Sequence, residues 1–135
     1  MSNTQPTTVL VVEDSPVQRR VLQRRLESQG FTVITAADGD EALGVAAREP
    51  FAAVISDIHM EPVGGFELCR RLRANPTFDG MVIVLTSASD PDGTNARLAA
   101  DSGADAYAER TSDLQAVFAA LAAALGVRTL SDGQS

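Results

Sequence analysis

The chain has 135 residues, 44% hydrophobic and 21% charged, which is the make-up of one globular domain and excludes a disordered or fibrous class. Its net charge of −7 leaves no basic face for a phosphate backbone, which argues against direct nucleic-acid binding and leaves a basic protein partner open. The single Cys69 excludes an internal disulfide framework and a cysteine-rich metal site, and reads as a small core thiol. No basic n-region precedes an apolar core at the amino terminus, and no apolar run approaches the roughly 20 residues of a membrane span. A cytoplasmic location without membrane contact is therefore expected.

Residues 1–7 are polar and read as a flexible lead-in. Thr8 to Val12 is a short β-branched apolar run, the pattern of a strand buried on both faces. Glu13 and Asp14 end it. Ser15, Pro16 and Gln18 then spell a helix start with a capping box, and Val17, Val21, Leu22 and Leu26 keep helical spacing until Gly30. The next unit repeats the plan: a strand over Thr32 to Thr35, then a capped helix start at Asp38 to Glu41. Its apolar face is Ala42, Leu43, Ala46 and Ala47.

A third buried strand climbs from Phe51 to Asp57 and gives way to a loop holding His59, Glu61, Pro62, Gly64 and Gly65. The two glycines read as a turn with one residue at positive φ. A helix over Phe66 to Ala74 follows, with Phe66, Cys69 and Leu72 on one side and Arg70, Arg71 and Arg73 on a solvated face. Met81 to Leu85 is a fourth strand ending at Thr86 and Ser87. Asp92 to Asp101 is a weaker helix stopped by Gly103, and Ala104 to Ala108 is a fifth strand. Ser112 and Gln115 form a second capping box. Leu114, Val117, Phe118, Leu121 and Leu125 make the last helical stripe, which Gly126 closes; residues 127–135 read as a tail or the start of a linker. Five strands alternating with five helices define a doubly wound parallel α/β sheet, placed in residues 8–126.

In such a sheet the residues after each strand converge on one edge, where reaction sites lie. Here those residues are Glu13 and Asp14, Asp57, Thr86 and Ser87, and Arg110. Two carboxylates about 5 Å apart repel by about 3 kcal/mol at an effective dielectric near 20, so three acids together either bind protons or want a cation. A hard, oxygen-loving ion answers that need, Mg²⁺ most naturally. Phosphoryl transfer onto Asp57 follows as the chemistry, with the metal and Arg110 neutralising the transferred oxygens and Thr86 donating a hydrogen bond. The blander readings are a strand-terminal acid capping a loop, acids favouring a helix start, and Arg110 pairing at the surface with Glu109 or Asp113.

The segments VLVVEDS at 9–15, ISDIHM at 55–60 with Gly65 eight residues after the acid, VLTSA at 84–88 and GADAY at 103–107 together resemble the receiver domains of two-component response regulators. The single-domain chemotaxis regulators are the nearest layout. The resemblance implies a flavodoxin-like fold in which Asp57 accepts a phosphoryl group from a sensor histidine kinase or histidine phosphotransfer protein. It implies Mg²⁺ held by Glu13, Asp14, Asp57 and the backbone carbonyl of His59. It further implies that Thr86 moves toward the phosphoryl group and that Tyr107 turns inward as an aromatic switch. The partner that reads the switch would be an effector protein or a fused output domain, with a homodimer possible. The protein would be a signalling switch rather than an enzyme, beyond Mg-dependent self-phosphorylation and self-dephosphorylation.

Two departures from the family pattern stand out. Arg110 and Thr111 stand where receivers carry lysine and proline, and without proline the Arg110 to Thr111 bond is expected trans. Glu61 stands where proline is usual, with Pro62 one place late, which brings another acid near the metal. The alternative reading is an atypical receiver that signals by contact without efficient phosphorylation. An aspartate-dependent phosphatase lacks the second acid it needs at His59, and a nucleotide or flavin binder lacks a glycine-rich phosphate loop.

Overall fold

The computed structural model describes residues 7–133, with side chains described through residue 126. The element order is β1 (Thr8–Val12), α1 (Pro16–Ser28), β2 (Thr32–Ala36), α2 (Gly39–Arg48), β3 (Ala53–Asp57), α3 (Gly65–Arg73), a short 3-10 turn (Pro76–Phe78), β4 (Val82–Ser87), α4 (Thr94–Ser102), β5 (Ala106–Glu109) and α5 (Gln115–Gly133). All strand pairings are parallel, in the order β2-β1-β3-β4-β5. This is the expected doubly wound sheet with five helices.

Alternation along each strand divides the core in two. Leu10, Val12, Val54, Ile83 and Leu85 pack with Ala42, Val45, Leu68, Cys69, Leu72 and Ala99 of α2, α3 and α4. Val9, Val11, Ile55, Val82 and Val84 face the other way, onto Leu22 and Leu26 of α1 and Val117, Phe118 and Leu121 of α5. Cys69 is fully buried, as expected of a core thiol, and burial pushes its pKa up to about 11.

Several local expectations change. The lead-in of residues 1–6 and the end of the tail, residues 134–135, lie outside the described residues; the Thr7 carbonyl already accepts from Thr32 N–H at the sheet edge. On α1 only Leu22 and Leu26 are buried, whereas Val17 is 70% exposed and Val21 39% exposed. On α2, Val45 takes the core position given to Ala47. The Ser15 hydroxyl accepts from Gln18 N–H at 3.3 Å, but Ser15 N–H donates to Glu13 Oε2, so the reciprocal half of the capping box is replaced by an acid. At α5 the cap is Asp113, whose Oδ1 accepts from Gln115 N–H at 3.0 Å; Leu114 at φ 58 displaces Ser112 from that role. The helix runs through Gly126 instead of stopping there.

Candidate functional site

The sheet brings β1, β3 and β4 into a register that sets the site. Val12 is level with Ser56, and Asp57 is level with Thr86. Ile58 N–H donates to the Thr86 carbonyl, so the chain leaving β3 is still tied to β4 where Asp57 sits. Close approach of α3 fixes the same point. A Cβ on Gly64 would fall 2.8 Å from the Ile58 carbonyl oxygen, and neither Gly64 nor Gly65 has the positive φ expected of one of them. What these glycines supply is absence of bulk.

Glu13, Asp14 and Asp57 each offer a carboxylate oxygen within 4.8 Å of the others. Glu13 and Asp57 are buried and Asp14 is exposed, so the cluster opens to solvent on one side. Glu13 is held at every polar end: its N–H donates to the Ala36 carbonyl, its own carbonyl accepts from Arg19 Nη1 at 2.8 Å, Oε2 accepts from Ser15 N–H at 3.1 Å, and Oε1 accepts from Arg110 Nη1 at 3.0 Å. Burial pushes the Glu13 pKa above the usual carboxylate range. The Asp57 charge adds to that shift, while the Ser15 N–H and Arg110 oppose it.

Arg110 turns into the site. Its Nη1 is 3.3 Å from Asp57 Oδ1 and 3.5 Å from Thr86 Oγ1, so the guanidinium lies in the acidic pocket and not in a surface pair with Glu109 or Asp113. Its bond to Thr111 is trans as expected; the cis bond among the described residues is Glu61 to Pro62. Asp57 Oδ1 is buried without a hydrogen-bond donor, its polar neighbour being that guanidinium. An all-oxygen donor set with a buried, undonated carboxylate oxygen suits a hard divalent cation.

The remaining candidates are placed as follows. His59 has an exposed side chain beside the site, and Glu61 is exposed and is not one of the three clustered acids. Ser87 is buried and bonds the Tyr107 hydroxyl; it also donates to the Ser89 carbonyl and accepts from Asn95 Nδ2. Neither Arg19 nor Asn95 had a sequence signal. An arginine in a helix with four of them and a lone asparagine at a helix start acquire partners only through tertiary placement.

The family description of the response regulator receiver domain matches residues 9–122. Among curated relatives, response regulator MprA of Mycolicibacterium vanbaalenii is 36% identical over 95% of this chain and 54% of its own length. Transcriptional regulatory protein TcrA of Mycobacterium tuberculosis is 34% identical over 85% of this chain and 44% of its own. The chain thus spans about half the length of these relatives. Chemotaxis protein CheY4 of Vibrio cholerae superposes with TM-score 0.82 at 26% identity, covering 89% of this chain and 99% of that one. Response regulator TrrA of Thermotoga maritima, solved with Mg(2+)-BeF, gives 0.76 at 25% identity, covering 87% and 97%. On this span of matched sequence and fold, the chain belongs to the response regulator receiver domains, the signalling domains of two-component systems.

Proposed function

We propose that this receiver is switched by phosphorylation of Asp57. A carboxylate oxygen of Asp57 forms the new bond to phosphorus as the bond from phosphorus to the donor's imidazole nitrogen breaks; the imidazole keeps the electron pair and takes up a proton. The buried Asp57 Oδ1, undonated and facing Arg110 beside Glu13 and Asp14, is the observation that carries this reading. Glu13, Asp14 and Asp57, with the His59 carbonyl, would hold Mg²⁺, which when bound supplies positive charge to the transferred oxygens. Arg110 supplies a permanent second charge from the β5 side, and Thr86 a hydroxyl level with the acceptor.

The reach of Arg110 to Asp57 supports phosphorylation over signalling by contact alone. The donor is a sensor histidine kinase or a histidine phosphotransfer protein, and the phosphorylated form is read by an effector protein, a fused output domain or a second copy. Tyr107, joined to Ser87 next to Thr86, is the residue that would relay the change. Incubation with Mg²⁺ and a small acyl phosphate, followed by intact-mass measurement, tests the reading. One added phosphoryl group is expected, and it should vanish in Asp57→Ala; an unmodified wild-type protein rejects the proposal.

A further inference from the structure

Ser87 Oγ spends its one proton on the Ser89 carbonyl at 2.9 Å, so it can only accept from Asn95 Nδ2 at 3.4 Å and from the Tyr107 hydroxyl. The phenol is therefore a donor here, and its acceptor is buried. Asn95, the second residue of α4, donates from Nδ2 to the Ser89 carbonyl as well, at 3.2 Å, so both side chains converge on that one oxygen. Its main chain is held from the same loop: Asp90 Oδ1 accepts from Asn95 N–H at 2.9 Å, and Oδ2 from Ala96 N–H at 3.0 Å. The stretch from Ser87 to Asn95 is thus fastened to itself. Ser87 also belongs to the sheet. Its carbonyl accepts from Arg110 N–H at 2.8 Å, and it follows Thr86, which is level with Asp57.

We propose that Asn95 is the positioning residue that ties the amino end of α4 to the strand end carrying Thr86. The inference rests on the phosphorylation reading, with Asp57 as acceptor and Thr86 as the hydroxyl that answers it. A displacement of Thr86 carries Ser87, its neighbour in the chain. Through Ser87 Oγ and the shared Ser89 carbonyl, the Asn95 amide passes that displacement to the first turn of α4, and the same oxygen passes it to Tyr107. Removing the amide leaves the Asp90 cap in place, because that cap binds main-chain N–H groups. The helix keeps its start and loses its side-chain link to β4.

Tyr107 is the one tyrosine of a chain without tryptophan, so its emission reports the surroundings of this side chain alone. The test compares the wild type with Asn95→Ala and with Asn95→Asp, which keeps the side chain's shape but has no N–H to donate. Asp92→Ala is the control, since it removes a different contact at the start of α4, the one to Thr94 N–H. Each protein is followed with and without Mg²⁺ and a small acyl phosphate, by intact mass, acrylamide quenching of Tyr107 and nitrogen-15 amide spectra. Both Asn95 variants should gain the same phosphoryl mass as the wild type. In both, Tyr107 of the unphosphorylated protein should be quenched about twofold more readily, and the Ala96 and Arg97 amide shifts on phosphorylation should fall below about half of their wild-type size. Asp92→Ala should match the wild type in quenching and in shifts. If one Asn95 variant does not fold, the other carries the test. Wild-type quenching or full-sized shifts in the Asn95 variants overturn the tie, and so does an equal loss in Asp92→Ala, which would assign the effect to a frayed helix start. A wild type that gains no mass rejects the phosphorylation reading instead; the quenching comparison needs no phosphate and still decides whether Asn95 holds the Ser87 and Tyr107 pair.

Discussion

A Cβ added to Gly65 would lie 2.6 Å from the carbonyl oxygen of Asp57. The first residue of α3 therefore passes against the backbone of the proposed acceptor, and backbone cannot yield as the end of a flexible side chain can. Gly65→Ala should cost about 1–3 kcal/mol, the range for overpacking a close-fitted interior. Because the strain falls on Asp57 itself, phosphorylation from an acyl phosphate should slow as well. Urea midpoints and intact-mass time courses read the two effects; an alanine variant unchanged in both would show that the α3 approach is not what holds Asp57.

Arg73 is the second position where the structure departs from a plain surface role. Rather than facing solvent with Arg70 and Arg71, it donates to the carbonyls of Gly103 and Met81 at 2.8 Å each and pairs with Asp105 Oδ2 at 2.7 Å. Asp105 Oδ2 in turn accepts from Ile83 N–H, so one ion pair ties α3 to the starts of β4 and β5. Breaking a buried pair costs about 3–5 kcal/mol, and both partners here keep a fifth or more of their side-chain surface, at 20% and 25%. Arg73→Met should therefore destabilise by about 2–3 kcal/mol in urea unfolding, after allowance for solvent screening. Arg73→Lys should recover less than half of that, since one ammonium cannot span three separated acceptors.

Why Arg73 escaped the sequence while the strands did not is a matter of what each pattern encodes. A strand covered on both faces is a short apolar run, and Val9 to Val12, Val54, Ile55 and Val82 to Leu85 could be read directly as such. Parallel topology then places Glu13, Asp14, Asp57 and Thr86 at one edge without any side-chain information. Helical spacing is less informative, because it shows that Val17, Val21, Leu22 and Leu26 share a broad sector but not which part of it meets the sheet. The choice falls to Leu22 and Leu26, and Val17 stays out. Long cations inside helices are the least legible: Arg73 and Arg19 find their partners on other elements, and nothing in their local spacing names those partners.

The raised pKa of Glu13 makes stability depend on pH in a definite direction. Its folded-state pKa lies above the unfolded value, chiefly through burial, so the folded protein holds that proton more readily than the unfolded chain. The associated stability is fully present below the ordinary carboxylate pKa and is lost as pH rises through the raised one. Glu13→Gln cannot ionise and lacks this loss. In chelator-treated protein, the stability of wild type relative to Glu13→Gln should fall as pH rises across that window and level off above it. A flat difference would mean that Arg110 and the Ser15 N–H fully offset the burial.

Ser87 and Tyr107 provide the sharpest energetic contrast near the site. Tyr107→Phe removes one hydroxyl but leaves Ser87 Oγ donating to the Ser89 carbonyl at 2.9 Å and accepting from Asn95 Nδ2 at 3.4 Å. No group is orphaned, so the cost should be about 1 kcal/mol or less. Ser87→Ala is different: the hydroxyl of half-buried Tyr107 loses the partner that the fold gives it, and Asn95 Nδ2 keeps only the Ser89 carbonyl at 3.2 Å. That change should cost about 1–3 kcal/mol. The double variant removes donor and acceptor together and should lose less than the two single costs combined, by about 0.5 kcal/mol or more. Urea unfolding of the four proteins closes this cycle. Strict additivity would mean that the two hydroxyls do not depend on each other, which would count against the proposed relay from Thr86 through Ser87 to Tyr107.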